Sequence, residues 1–176
     1  MSQTDPKHAL GQAVGFAFKG PRVPLGQLVT MQTVLVITLN STWHQYPSFR
    51  IPGGMQKANE TLNQTFAREL REETGVVVSQ NPKDTIELGR TLKERGWPST
   101  GEFPVALFAA FNCDFGRLLD PRWQERGSDG EEPQLVEFGK VLRPKHRWNI
   151  RSVPSQTAPL LSYHRKLLSV LSRIDV

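Results

Sequence analysis

Three glutamates, Glu69, Glu72 and Glu73, are crowded into the stretch "RELREETG". Ordinary surface design avoids this, because like charges at i,i+4 cost a helix about 0.2–0.5 kcal/mol. The neighbouring residues say that the stretch is a helix. Thr61 with Gln64 three residues later is a capping-box signature, which starts the helix at Leu62. Gly75 stands where a left-handed C′ residue is wanted, which stops it at Thr74. Leu62, Phe66 and Leu70 recur every four residues and form one apolar stripe. At about 100° per residue, Glu69 and Glu73 lie about 40° apart, with Glu72 about 60° from Glu69. The three carboxylates are therefore expected on one edge, beside the buried stripe. The helix dipole adds to their repulsion near the C-terminal end. A compensating cation resolves the conflict, and an all-oxygen donor set suits Mg²⁺ or Mn²⁺ over zinc. The competing account is a solvated Arg/Glu face, since Arg68 and Glu72 form an i,i+4 pair. The three glutamates alone leave both accounts open.

Strands must position this helix. "QAVGFAF" (12–18) alternates like a strand, and "GPRVPLGQ" (20–27) reads as a loop. "VTMQTVLVITL" (29–39) is β-branched and apolar, the pattern of a strand buried on both faces. "FRIPGG" leads into the glutamate helix as a short strand closed by Pro and Gly. After the helix, "VVVSQ" (76–80), "TIELGRTL" (85–92), "FPVALFAAFNC" (103–113) and "PQLVEFGKVL" (133–142) read as strands, with a long polar loop over 114–133. "RPKHRWNIRSVPS" reads as basic and irregular. "TAPLLSYHRKLLSVLSRI" carries a helical stripe, with Thr157 as cap and Pro159 in the first turn. Tyr163 and His164 fall near that stripe and read as core packing. Strands interrupted by one central and one terminal helix imply the α/β class, a mixed sheet between helices.

The chain has 176 residues, enough for one domain (1–176) with a core that needs no staples. Its net charge of +5 suits an anionic partner such as a nucleotide, a polyphosphate or RNA. A single cysteine, Cys113, excludes an internal disulfide and a multi-Cys zinc site, and its apolar surroundings mark it as buried. "MSQTDPKHALGQ" lacks the apolar run of a secretory signal, and no window is long and apolar enough to span a membrane. The expected compartment is cytoplasmic.

Taken as spacing, the segment runs Gly54, five residues, Glu60, seven residues, then Arg68-Glu69-Leu70-Arg71-Glu72-Glu73-Thr74-Gly75-Val76. This resembles the Nudix box, G-x5-E-x7-R-E-U-x-E-E-x-G-U with U apolar, at every specified position. The resemblance implies a Nudix-type α/β/α sandwich and hydrolysis of a nucleoside diphosphate linked to another moiety. It further implies that Glu69, Glu72, Glu73 and the Gly54 carbonyl ligate Mg²⁺ or Mn²⁺. Arg68 would hold a box glutamate in place, Glu60 would steady the loop, and Leu70 and Val76 would pack. The metal would neutralise pyrophosphate oxygens and acidify the attacking water. The general base would be Glu69 or an acid from a late loop, for which Glu131 and Glu132 in "SDGEEPQ" stand in a suitable place. A solvated charge pair is the competing account of those two.

Arg50 and Lys57 flank the glycines and can bind phosphate oxygens. Trp97 and Trp43 can stack on a base, with simple packing as the alternative. Arg143, Lys145, His146 and Arg147 can contact polyphosphate or RNA, against a solvated loop. The proline beyond the box seen in many ADP-ribose hydrolases is absent, as is the tyrosine typical of dinucleoside polyphosphate hydrolases. Nucleotide sugars, nucleoside triphosphates and capped RNA ends all stay open as substrates. A Nudix-fold module that binds a nucleotide without cleaving it is the rival, although such modules usually lose box glutamates. The resemblance is also compatible with a homodimer.

Overall fold

The computed structural model describes residues 10–30, 33–40, 47–94, 101–119, 131–143, 145–161, 164 and 168. Strand β1 (Gln12–Ala17) runs antiparallel to β4 (Gly53–Met55) and parallel to β6 (Glu102–Ala110), and β6 pairs antiparallel with β5 (Thr85–Glu94). The sheet is therefore mixed, as the α/β expectation requires. A second, antiparallel sheet has the order β3 (Ser48–Arg50), β2 (Val34–Asn40), β7 (Glu132–Glu137). A hairpin of β8 (Arg147–Ile150) and β9 (Val153–Pro159) completes the strands among the described residues.

Side-chain alternation splits the interior in two. Val105, Leu107 and Ala109 of β6 join Val14 and Phe16 of β1 in the larger core, which β2, β3 and β7 help to fill. Ala106, Phe108 and Ala110 face the other way, toward helix α2 (Leu62–Thr74). The residues of β1 on that side are small: Ala13, Gly15 and Ala17. A methyl group on Gly15 would meet the Phe66 ring at 2.8 Å, so the helix lies close because the strand offers no side chain there. Phe66 also stacks on Phe108 with ring centroids 5.5 Å apart. Burying Phe66 and Leu70 contributes about 2–3 kcal/mol each.

Helix α2 has the expected bounds. Thr61 accepts from the Gln64 N–H while the Gln64 side chain accepts from the Thr61 N–H. Gly75 is left-handed at φ 74°, and its N–H bonds to the Arg71 carbonyl. Cys113 is buried as expected, and burial pushes its thiol up to about 12.

Several segments differ from the sequence reading. Residues Leu25–Thr30 form helix α1, so the strand expected from residue 29 begins at Val34. Gly53 and Gly54 lie inside β4 and do not merely close a strand. "VVVSQ" makes one isolated bridge, Val77 to Asp114, because Val76 is drawn into the core under α2. The strand expected over 133–142 ends at Glu137 and turns into helix α3 (Phe138–Val141). The basic stretch expected to be irregular supplies β8. Thr157 is no helix cap: it pairs with Asn149 in β9, where the strand offers ladder bonds and Pro159 disfavours helix at the residue before it. His164 and Leu168 do have helical backbone. Among the described residues, no helix is long and apolar enough to cross a membrane.

Candidate active site

The acidic edge of α2 separates into three environments. Glu73 stands seven residues after Phe66 and three after Leu70, so it continues the apolar stripe and points inward. Its side chain is 4% exposed, against 17% for Glu69 and 41% for Glu72. The single shared edge expected from spacing is thus graded from core to solvent.

Two arginines organise these acids. Arg68 forks onto Glu60, Nε to Oε1 at 2.7 Å and Nη2 to Oε2 at 3.1 Å. Its Nη1 reaches Glu69 at 2.6 Å and Glu72 at 3.0 Å, and Nη2 also donates to the Met55 carbonyl at 3.0 Å. Glu60 accepts further bonds from the Lys57 N–H and the Thr65 hydroxyl. The Arg68 guanidinium, with those bonds behind it, holds the Glu60 carboxyl down at about 2. Arg68 thus ties the Glu60 loop, the Met55 carbonyl of β4 and the helix together.

The second arginine is Arg50 at the end of β3. Its Nη2 bonds Glu73, and reaches Glu131 at 2.7 Å. The Gly53 N–H donates to Glu73 Oε2 at 2.9 Å. Burial still pushes the Glu73 carboxyl up to about 8, against the lowering pull of Arg50 and Gly53. The sequence suggests a phosphate contact for Arg50; in the fold it is the shared counter-charge of two buried acids.

Glu131 and Glu132 are both buried, at 2% and 4% exposure, which overturns the solvated-pair account. They diverge: Glu132 opens β7, and Glu131 is the residue just before the strand. Glu132 pairs with Leu39 in the β2–β7 register, and its Oε1 accepts from the Ser152 N–H at 2.9 Å in the β8–β9 turn. Glu131 turns the other way, to Arg50. The structure thus brings Glu131, and not Glu132, to the glutamate helix.

The glycines explain how main chain comes so close. A methyl group on Gly54 would meet the Glu69 Cδ at 2.5 Å and both carboxylate oxygens at 2.6 Å. On Gly53, at φ 147°, it would meet the Ala13 carbonyl at 2.2 Å. The Glu69 carboxylate therefore lies directly against Gly54, in space that any larger residue there would fill. Gly54, Glu69, Glu72 and Glu73 are the groups that can hold a hard divalent ion, and this oxygen donor set fits one. Among the described residues, however, no three acidic, His or Cys side chains already meet in metal-ligand geometry.

Lys57 is exposed, with Nζ 3.9 Å from Glu72 Oε1. An open groove of about 550 Å³ lies beside the helix, lined by Arg68, Arg71, Glu72 and Val78 among others. Arg71, which sequence reasoning passed over, brings a second cation to it. Trp97 and Trp43 lie outside the described residues, as does Tyr163. Arg143, Lys145 and Arg147 are exposed, and His146 packs edge-on against Trp148.

A family model described as the NUDIX domain matches residues 22–155. No curated protein matches the chain. Among solved structures, the chain is similar to the NUDIX domain of Shewanella oneidensis NrtR, complexed with ADP ribose. That likeness has 18% identity and a TM-score of 0.57, and covers 97% of this chain and 92% of that one. It is similar to the E. coli ORF135 protein at 12% identity and TM-score 0.54, over 97% and 94% of the two chains. It also resembles a MutT/nudix family protein from Enterococcus faecalis at 17% identity and TM-score 0.51. There it covers 77% of itself and spans about half, 46%, of that protein's length. At these identities the structures speak for the fold, while the domain match spans well over half of the residues: the chain belongs to the Nudix family.

Proposed function

We propose that the protein hydrolyses a phosphoanhydride bond in a nucleoside diphosphate linked to another moiety, with Mg²⁺ or Mn²⁺ as cofactor. A nucleotide sugar or a nucleoside triphosphate is the favoured substrate class. The observation that supports the reading is the Glu69 carboxylate lying against Gly54, with Glu69 and Glu72 both held by Arg68 Nη1. Gly54, Glu69, Glu72 and Glu73 would hold the ion, which would supply charge neutralisation at the pyrophosphate and acidify the water.

The protein's own groups do the rest. Arg68 bonds both Glu69 and Glu72, which keeps the two carboxylates near one another on the helix edge. Arg71 and Lys57 bring positive charge for phosphate oxygens at the edge of the groove. Glu69 stands as the candidate base, and Glu131 replaces Glu132 as the late acid that can assist, because Glu131 reaches the cluster through Arg50. The ADP ribose bound by the Shewanella protein supports nucleotide diphosphates as the first compounds to test.

The test is a panel of nucleotide sugars, triphosphates, dinucleoside polyphosphates and capped RNA, with Mg²⁺ or Mn²⁺ and products identified by mass. Glu72→Gln and Glu73→Gln should abolish turnover. Equal inertness of wild type and variants, with nucleotide binding retained, would instead establish a non-catalytic binding module.

A further inference from the structure

Strand β3 pairs with β2 along one edge only, through Arg50 to Thr38, Phe49 to Leu39 and Ser48 to Asn40. Its other edge is closed by residues more than a hundred positions later. The Leu161 N–H donates to the Phe49 carbonyl at 2.7 Å, and Phe49 and Leu160 form a parallel bridge. The next group along that edge is the Ile51 N–H. It donates to His164 Nδ1 at 2.8 Å, and the imidazole is 5% exposed. Ile51 is itself fully buried, so water cannot take this bond over.

The residues on either side of Ile51 give the contact its weight. The Pro52 carbonyl accepts from the Gly15 N–H at 3.0 Å. The Gly53 N–H holds Glu73, and Gly54 pairs with Ala13 while carrying the Glu69 carboxylate against its α-carbon. Arg50, immediately before Ile51, bridges Glu73 and Glu131. The strand around Ile51 therefore carries three of the site's fixtures, and His164 ties down its outer edge.

We infer that His164 is a positioning residue for the Gly53–Gly54 stretch: its Nδ1 fixes the Ile51 N–H, and through it the placement of Gly53, Gly54 and Arg50 against the glutamate helix. The inference rests on reading those glycines and glutamates as the metal site. It adds that the C-terminal segment sets the site's geometry without touching substrate.

The experiment compares His164→Asn, His164→Gln and His164→Leu in the full chain. Asparagine carries its amide oxygen on Cγ, where it can replace Nδ1. Glutamine places the acceptor one bond further out, and leucine has none. Amide exchange at Ile51 and Gly53, Mn²⁺ affinity, and kcat and KM are read together, with Val141→Ala in helix α3 as a core variant outside β3 and β4. His164→Leu and His164→Gln should speed exchange at both amides. They should also weaken Mn²⁺ binding and lower kcat about tenfold, the low end for an outer-shell partner, at nearly constant KM. His164→Asn should restore all three, and Val141→Ala should leave them unchanged. If His164→Gln or His164→Leu behaves like Val141→Ala, or if His164→Asn is as impaired as His164→Gln, the inference is overturned. Glu72→Gln separates the underlying reading: if it binds Mn²⁺ as wild type does, the metal site fails, while the exchange data still decide the role of His164.

Discussion

Arg68 and Arg50 each gather glutamates, yet the two clusters differ in kind. Arg68 holds the more exposed acids, Glu60, Glu69 and Glu72, all within eight residues of itself. Arg50, itself 23% exposed, holds two buried acids, Glu73 and Glu131, the latter 81 positions away. The carboxyls respond in opposite directions. Glu60 is driven down to about 2 by Arg68, whereas Glu73 is driven up to about 8 by burial despite its own arginine. A neighbouring guanidinium does not decide a carboxylate's behaviour by itself; the loss of water can outweigh it. The exposed cluster shapes the helix edge, and the buried one locks β3, β7 and α2 to one another.

The contrast is most easily broken at Arg50. Arg50→Met takes the shared counter-charge from two buried acids and should cost about 3–5 kcal/mol in urea unfolding. A loss below about 1 kcal/mol would mean that the interior cluster is no tighter than a surface pair. Glu131 and Glu132 sharpen the same point through turnover. Glu131→Gln should lower kcat about 100-fold, the low end of general acid–base effects, while Glu132→Gln should keep kcat and lose only stability. The reverse pattern would return the late-acid role to Glu132.

The surface cluster should respond less. Arg68→Met should cost about 1 kcal/mol, and the cost should shrink as salt is raised from about 0.05 to about 0.5 M, because exposed pairs are screened and buried ones are not. The smallest effect is a pH dependence. The Glu60 carboxyl is lowered when folded, so its contribution is full above about 4.5 and fades as the pH falls toward about 2. Wild type should therefore lose its stability advantage over Glu60→Gln across that window, as measured by thermal melting. A constant difference between the two would remove Glu60 from the network.

Helix α2 was legible because its signals are local: Thr61 and Gln64 cap it, Gly75 ends it, and the stripe fixes its face. The placement of the box glutamates along it, and the pairing of Arg68 with them, follow from the same local spacing. Which late acid reaches them was not legible, because a one-residue change of register in β7 exchanges Glu131 for Glu132. Only pairing with β2 settles that register. Thr157 misled for a related reason. Its sequence fits a cap, but strand β8 offers it a ladder partner that local propensity does not reveal. His164 was correctly expected in the core, while its bond to Ile51 spans 113 positions and leaves no periodic trace.

The tie between Ile51 and His164 also sets an order of assembly during synthesis. Helix α2 can form as soon as Gly75 has left the ribosome, since its caps and stripe lie within the nascent segment. The backbone leading to the glycines waits for a partner made nearly ninety residues later, about 5–18 s at ordinary translation rates. Until then the outer edge of β3 is open, and that interval is when a chaperone or a stray strand would find it.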